Sequence, residues 1–214
     1  TRLTFMGGTA IRIIHGSSRF SEDLDFDNFN LTREEFEAIT GLVQKQLSFE
    51  GYTIEIRNVF KGAFHSYISI PNILFNYKIS QHKEEKLMIR LDTESQGITY
   101  APQNVIINKF DVFTRINVAP AGLILSQKIF AILNRKRAMG RDFFDTVYLF
   151  SRVKPDFYYL KHHMNINNMA ELKGMLLSKC DNLNFKLLSN DVEPFLTNSS
   201  ETKKVLLFKD YIKS

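Results

Sequence analysis

Three aspartates stand at alternate positions in a short apolar segment near the start of the chain. Asp23, Asp25 and Asp27 are separated by Leu24 and Phe26. Because side chains alternate between the two faces of a β-strand, this spacing predicts a strand with its carboxylates on one face and its apolar residues in a core. Carboxylates this close raise one another's pKa unless a cation lies among them. The spacing therefore predicts a divalent metal site, and Mg²⁺, which prefers oxygen ligands, suits it.

A glycine pair precedes the aspartates in the segment "MGGTAIR" (6–12). Gly7 and Gly8 permit a close approach of the backbone to a ligand. A helix that begins near Thr9 would direct free N–H groups and a hydroxyl toward an anion. Mg²⁺ in proteins is commonly bound by one or two carboxylates together with substrate phosphates. The combination predicts that a nucleoside triphosphate binds between this helix start and the metal.

A third carboxylate is expected on a neighbouring strand. In "KLMIRLDTE" (86–94) the alternation places Asp92 on the polar face of a predicted strand. Asp92 is the predicted third acid, and Glu94, two residues later, is its substitute. The alternative for either residue is that it binds no metal and is an ordinary solvent-exposed carboxylate on a strand. The five histidines show no ligand spacing, and no role is predicted for them.

Hydrophobic patterning divides the chain into a mixed part and a helical part. The first part contains a predicted helix over 31–47, which opens with a capping box of Thr32 and Glu35. The predicted strands follow at 52–60, 64–70, 85–94 and, as an edge strand, 104–110. After Pro120 two helices meet near Gly140, and further helical segments extend through 157–214. The predicted fold class is α+β (α/β), with a mixed β-sheet flanked by helices and then a helical bundle.

Charge and cysteine content indicate which kind of binding partner and which cellular compartment to expect. Residues 1–110 carry 12 Lys/Arg against 13 Asp/Glu, whereas residues 111–214 carry 16 against 10. A basic second half favours a polyanionic partner such as RNA or a triphosphate, and a solvated basic surface is the alternative. A single cysteine, Cys180, excludes an internal disulfide and a cysteine zinc site. Without an apolar run of membrane length or a leader pattern we expect a cytoplasmic protein; the first residue is Thr1, which leaves open whether residues precede it.

Four motifs together resemble those of the AbiEii/AbiGii toxins, nucleotidyltransferase-fold proteins that include the MenT-like toxins. The motifs are "GGTAIR" (7–12), "RFSEDLDF" (19–26), "ILSQKIFAILNR" (124–135) and "RDFFD" (141–145). The resemblance implies a nucleotidyltransferase-like catalytic lobe and a helical-bundle lobe that contributes to the nucleotide and substrate cleft. The change of pattern near residues 111–120 predicts that the first lobe covers 1–115 and the second 116–214. It also implies a bacterial toxin of a toxin–antitoxin or phage-abortive-infection system.

The activity that the resemblance implies is metal-dependent transfer of a nucleoside monophosphate from a nucleoside triphosphate to an acceptor hydroxyl, with release of pyrophosphate. The acceptor expected from MenT-like members is RNA, at the 3′ end of tRNA, bound through the basic second half. The expected cofactor is Mg²⁺, as two ions, and the other expected partner is a cognate antitoxin protein. No membrane partner is expected.

The residues and the resemblance together give a set of site residues. The predicted metal ligands, which are also catalytic, are Asp23, Asp25 and Asp92. The predicted nucleotide-binding residues are Gly7, Gly8, Thr9, Arg12 and Lys128. Asp142 is the further catalytic acid that the resemblance implies. From the residues alone, Lys128 is a surface lysine beside an apolar face, and Asp145 is a capping residue or a partner of Arg141.

Other functions remain open at this point. The same chemistry could act on a protein or a small molecule, and a non-enzymatic binding protein could keep the fold. A calcium-binding module is a further alternative, because acids at 23, 25, 27 and 34 match loop positions one, three, five and twelve of an EF-hand. Asn28 stands where that loop needs glycine, and the interleaved apolar residues favour a strand instead.

Overall fold

Seven strands in one mixed sheet and ten α-helices form the fold in the computed structural model, which describes residues 2–214. The strands are β1 (Leu3–Met6), β2 (Leu24–Asn28), β3 (Glu55–Lys61), β4 (Ala63–Ile70), β5 (Leu87–Glu94), β6 (Gln103–Lys109) and β7 (Val112–Val118). The helices are α1 (Gly7–Ile13), α2 (Arg33–Phe49), α3 (Ile73–Asn76), α4 (Ala121–Asn134), α5 (Gly140–Phe150), α6 (Phe157–Met164), α7 (Met169–Cys180), α8 (Phe185–Val192), α9 (Lys203–Leu206) and α10 (Phe208–Lys213). The α+β prediction is confirmed.

The order of strands in the sheet is β3-β4-β5-β2-β1-β7-β6. The strands β3, β4 and β5 form an antiparallel meander, as their alternation predicts. β2 pairs in parallel with β5 and antiparallel with β1. β6 is an edge strand, again as predicted, and it pairs with β7. The sequence did not predict β1 or β7, because β1 has only four residues and β7 alternates weakly across the change from mixed to helical patterns.

The chain is divided into two compact units. The first contains residues 2–10 and 22–118, and the second contains residues 11–21 and 119–214. The sequence placed one boundary between residues 115 and 116, which lies inside β7. Residues 11–21 join the second unit through long-range contacts, such as the hydrogen bond of 2.7 Å from Phe20 N to Phe195 O. Local patterns carry no signal for such contacts.

In the first unit, α2 covers one face of the sheet. Its capping box is present, since Thr32 Oγ1 accepts from Glu35 N at 3.2 Å and Glu35 Oε2 accepts from Thr32 N at 2.8 Å. Phe36 of α2 is fully buried and packs in a cluster with Leu31 and Leu91. Along β3, β4 and β5, every second residue is mostly apolar and faces this helix. The residues between them therefore face the opposite side of the sheet.

The segment that matches an EF-hand loop is not a loop. Leu24–Asn28 is β2, hydrogen-bonded to a strand on each side, and the helix after it begins at Arg33 with its own N-cap. The calcium-module alternative is therefore wrong, because an EF-hand needs these residues to wrap around the ion as an unpaired loop.

In the second unit, a buried ion pair links residue 19 to α5. Arg19 donates through Nε and Nη2 to both carboxylate oxygens of Asp145 at 2.8 and 2.9 Å. The side chains are only 3% and 0% exposed. Lys128 Nζ lies 3.0 Å from the same carboxylate. Asp145 thus pairs with Arg19 and Lys128, and not with the predicted partner Arg141. The local pattern could not indicate Arg19, because this residue lies in a distant part of the chain.

None of the helices within residues 2–214 combines the length and the apolar character that crossing a membrane requires.

Removing the charge of Asp145 tests how much the second unit depends on this pair. We expect Asp145→Asn to lower the free energy of unfolding by about 3–5 kcal/mol, because the Arg19 guanidinium would stay buried without a counter-charge. Asp181→Asn is the matched control, since Asp181 forms an ion pair with Lys209 in the same unit but is 62% exposed; its effect should be negligible. Urea denaturation measures both, and equal losses would contradict the expectation.

The same carboxyl group predicts a dependence on pH. Burial alone raises the pKa of Asp145, but the charges of Lys128 and Arg19 outweigh burial and hold the pKa below its ordinary value. Such a group stabilises the fold above its unfolded pKa of about 3.9, and this contribution is lost as the pH falls through the folded pKa. The difference in free energy of unfolding between wild type and Asp145→Asn should stay constant between about pH 7 and pH 5 and shrink below about pH 4. A difference that widens in acid would be inconsistent with this.

Candidate active site

Two of the predicted acids lie side by side on neighbouring parallel strands. Asp25 of β2 is in register with Asp92 of β5. Residues in register project from the same face of a sheet, and the face that carries these two is opposite to α2. Asp23 precedes β2 by one residue, and the alternation gives it the same direction. The structure therefore brings Asp23, Asp25 and Asp92 to one face of the first unit.

The glycine at the start of α1 leaves room for one of these carboxylates. Gly7 has a φ of +74°, and a Cβ atom at this position would lie 2.1 Å from Asp25 Oδ2. Any side chain at position 7 would overlap the Asp25 carboxylate, and the positive φ adds backbone strain for a residue other than glycine. Close approach between the glycine pair and the aspartates is thus a geometric requirement of this site.

The neighbouring residues of α1 hold the backbone beside the acids. Gly8 and Thr9 are buried. The hydroxyl of Thr9 donates to the backbone oxygen of Asp23 at 2.5 Å. Thr9 therefore fixes the segment that carries Asp23. This hydrogen bond differs from the phosphate contact that the sequence predicts for Thr9. The helix begins at Gly7, two residues earlier than predicted.

The third acid, Asp92, is held by two side chains. His65 Nδ1 lies 2.7 Å from Asp92 Oδ1, Arg90 Nε donates to the same oxygen at 2.9 Å, and Arg90 Nη2 lies 2.6 Å from Oδ2. The hydrogen bond to Asp92 raises the pKa of Arg90, and the charge of Asp23 contributes to this shift. Arg90 thus supplies the counter-charge of Asp92. Glu94, the substitute third acid, is exposed at the end of β5.

Asp27 has a structural role instead. It is 1% exposed, and its Oδ1 accepts from the backbone N–H groups of Asn28 and Gln96 at 2.8 and 3.0 Å. Burial raises the pKa of Asp27, and the nearby Tyr100 hydroxyl and the backbone N–H groups of Gln96 and Asn28 only partly offset this. The Asp27 carboxylate thus fixes the turn after β5.

Within residues 2–214, no group of three or more His, Cys, Asp or Glu side chains is arranged to hold a metal ion. The oxygens of Asp92 are engaged by Arg90 and His65. The donor set nevertheless suits Mg²⁺, because it consists of carboxylate oxygens. Two of the residues, Asp25 and Asp92, are in register, and the Asp25 carboxylate occupies space that only a glycine at position 7 leaves free. Asp23, Asp25 and Asp92 are the residues of the first unit that could hold this metal.

The other predicted site residues belong to the second unit. Lys128 Nζ lies 3.4 Å from Asp142 Oδ1, and Arg135 Nε lies 3.2 Å from Asp142 Oδ2. Asp142 is 1% exposed and Lys128 is 13% exposed. Lys128 is therefore not the surface lysine that its local pattern suggests. Arg12 stacks over the ring of Phe20 at 4.1 Å.

Sequence reasoning missed the side chains that contact the acids. Arg90 stands two residues before Asp92 on the same face of β5, so the alternation in "KLMIRLDTE" contained this signal. His65 could be found only from the register of β4 with β5, which pairs it with Asp92. Arg19 left no local signal, since its partner Asp145 lies more than a hundred residues away in sequence.

Comparison with known proteins identifies the family. Residues 1–191 match the family described as nucleotidyl transferase AbiEii toxin, type IV toxin–antitoxin system. The crystal structure of JHP933 from Helicobacter pylori is similar in fold, with a TM-score of 0.55 and 16% identity over 99% of this chain and 84% of that one. Another crystal structure, of an H. pylori protein proposed to be a nucleotidyltransferase, has a TM-score of 0.53 and 16% identity over 99% of this chain and 86% of that one. None of the curated proteins matches the chain in sequence.

The family match includes all four motifs on which the resemblance rests, and it confirms that resemblance. The similar crystal structures, at their low identity, support the fold. Nucleotidyltransferase activity follows from the family. The chain belongs to the AbiEii family of nucleotidyl transferase toxins of type IV toxin–antitoxin systems.

Proposed function

We propose that this protein transfers a nucleoside monophosphate from a nucleoside triphosphate to a hydroxyl group of RNA, at the 3′ end of tRNA, with Mg²⁺ as its cofactor. The observation that carries the proposal is the register of Asp25 with Asp92, together with the close packing of Gly7 against the Asp25 carboxylate. The basic second half of the sequence supports a polyanionic acceptor. The family supports a role as a bacterial toxin with a cognate antitoxin, and the proposed substrates place that role in the cytoplasm.

In the proposed reaction, the acceptor oxygen forms a bond to the α-phosphorus of the triphosphate. The bond from this phosphorus to the oxygen that bridges it to the β-phosphate breaks, and pyrophosphate leaves with the electron pair. The proton of the acceptor hydroxyl passes to the Asp92 carboxylate. Positioning and the neutralisation of charge would supply most of the rate.

Asp23, Asp25 and Asp92 are the residues that would hold the metal. Bound Mg²⁺ would neutralise the phosphates and lower the pKa of the acceptor hydroxyl. Thr9 keeps Asp23 in place through its backbone oxygen, and Gly7 leaves the space that the Asp25 carboxylate fills. Lys128 and Asp142 remain predicted contributors to nucleotide binding and catalysis.

The acids can be tested one at a time in a transfer assay. The protein is incubated with α-labelled nucleoside triphosphates, Mg²⁺ and total RNA, and the products are resolved by size. Asp25→Asn and Asp92→Asn should each reduce labelling of RNA by more than about 100-fold, since several kcal/mol of charge stabilisation depend on the metal ligands. Glu94→Gln should stay within about twofold of wild type, because its exposed carboxylate lies beyond the predicted ligands.

A chelator should abolish the labelling, and added Mg²⁺ should restore it. An active Asp25→Asn protein would refute the proposed metal site. Label that appears in protein or in a small molecule, with none in RNA, would refute the RNA acceptor and leave nucleotidyl transfer intact.

The glycine requirement gives a separate prediction. Gly7→Ala should abolish transfer, because the new Cβ would overlap Asp25 Oδ2. Gly41→Ala is the matched control, since Gly41 lies within α2 and no heavy atom stands within 4 Å of a Cβ there. It should keep full transfer and gain up to about 1 kcal/mol of stability from the better helix former. The transfer assay and urea denaturation measure both variants, and a Gly7→Ala protein as active as Gly41→Ala would contradict the requirement.

A further inference from the structure

A row of cationic and aromatic residues crosses the sheet beside the acids. Arg57 of β3 is in register with Tyr67 of β4, and Tyr67 is in register with Arg90 of β5. The neighbouring row on the same face, two residues along each strand, brings His65 beside Asp92. We call Arg57, Tyr67 and Arg90 the arginine row. Two strand spacings separate its ends, so it extends across about 10 Å of the sheet.

The arginine row lies on the face that α2 does not cover. Arg57 is exposed, Tyr67 is partly buried, and the Arg90 side chain is 43% exposed. The guanidinium of Arg57 stacks over the Tyr67 ring, with 4.5 Å between its central carbon and the ring centroid. Stacking holds the planar cation against the sheet, where its second face and its N–H groups can meet a ligand.

The charge at the outer end of the row is not balanced by a carboxylate. Within residues 2–214, no carboxylate forms an ion pair with Arg57. The nearest acid along the strand on the same face, Glu55, is paired with Lys86 at 2.6 Å. Arg33 on α2 differs, because it stacks over Phe60 at 4.4 Å and also pairs with Glu37. Arg57 is therefore available to an external anion.

We propose that the arginine row binds the acceptor RNA as a single strand, next to the hydroxyl that reacts. The proposal rests on the proposed function, because it names the surface that holds that RNA. Guanidinium groups bind phosphates and stack on unpaired bases, and an adjacent aromatic ring supports such stacking. The row leads directly into the row of Asp92 and Asp25. A strand bound along it would reach the acids without crossing another element of the first unit's sheet.

The test measures RNA binding without nucleotide. A short 5′-fluorescein single-stranded RNA is titrated with the full chain, and anisotropy gives the Kd at several salt concentrations. Arg57→Gln should weaken binding by about fivefold to tenfold at low salt and reduce the slope of log K against log salt by about 0.7, the value for one phosphate contact on a single strand. Tyr67→Ala should weaken binding by about fivefold or more through lost stacking.

Arg33→Gln is the matched control, because this arginine also stacks on a ring but lies on α2 and has a carboxylate partner. It should bind RNA as wild type does, and all variants should bind a fluorescent nucleoside triphosphate equally well. Equal RNA affinity of Arg57→Gln and Arg33→Gln, with wild type binding RNA, would overturn the proposal and leave the proposed function standing. A wild-type protein that binds the nucleotide but no RNA, and labels a protein instead, would overturn both the RNA acceptor and this surface.

Discussion

The parallel pairing of β2 with β5 is the constraint on which the candidate active site depends. It brings Asp25 beside Asp92, although the two residues lie far apart in sequence. Carboxylates in register on adjacent strands repel each other. Arg90 offsets this repulsion, because it contacts both oxygens of Asp92. The charge of Asp23 also contributes to the raised pKa of Arg90. Asp92 thus already has a counter-charge from the protein itself. A metal that binds to them has to share Asp92 with this arginine.

The second unit uses the same principle in its interior. Asp145 and Asp142 are almost completely buried, and each faces two cations, Arg19 and Lys128 for the first, Lys128 and Arg135 for the second. Taking a charge out of water is unfavourable unless a partner and hydrogen bonds replace the solvent. Lys128 is shared by both acids, so its position is fixed by the packing of α4 against α5. The motifs at 124–135 and 141–145 consequently form one charge network in this chain.

In the first unit, one face of the sheet supplies stability and the other carries the candidate site. Apolar residues such as Ile68 and Leu91 face α2 and supply the burial that stabilises the sheet. The alternate residues of the same strands carry the acids and the arginine row. Because register fixes both faces at once, the packing of the apolar face also determines which polar residues become neighbours on the other. Stability and candidate chemistry therefore depend on the same pairing of strands.

The sequence by itself determined most of the local elements, although not β1 and β7, and the types of residue at the site. Period-two alternation gave β2 to β6, helical spacing and caps gave α2, α4 and α5, and the glycine pair with the alternating aspartates predicted the site in the first unit. Tertiary structure decided which residues meet. The register that joins His65 and Arg90 to Asp92, the burial that removes Asp27 from the acids, and the pairing of Arg19 with Asp145 all arise between segments distant in the chain. Periodicity reports only which face a side chain occupies, whereas the neighbour across a sheet or a core depends on how the strands and helices pack.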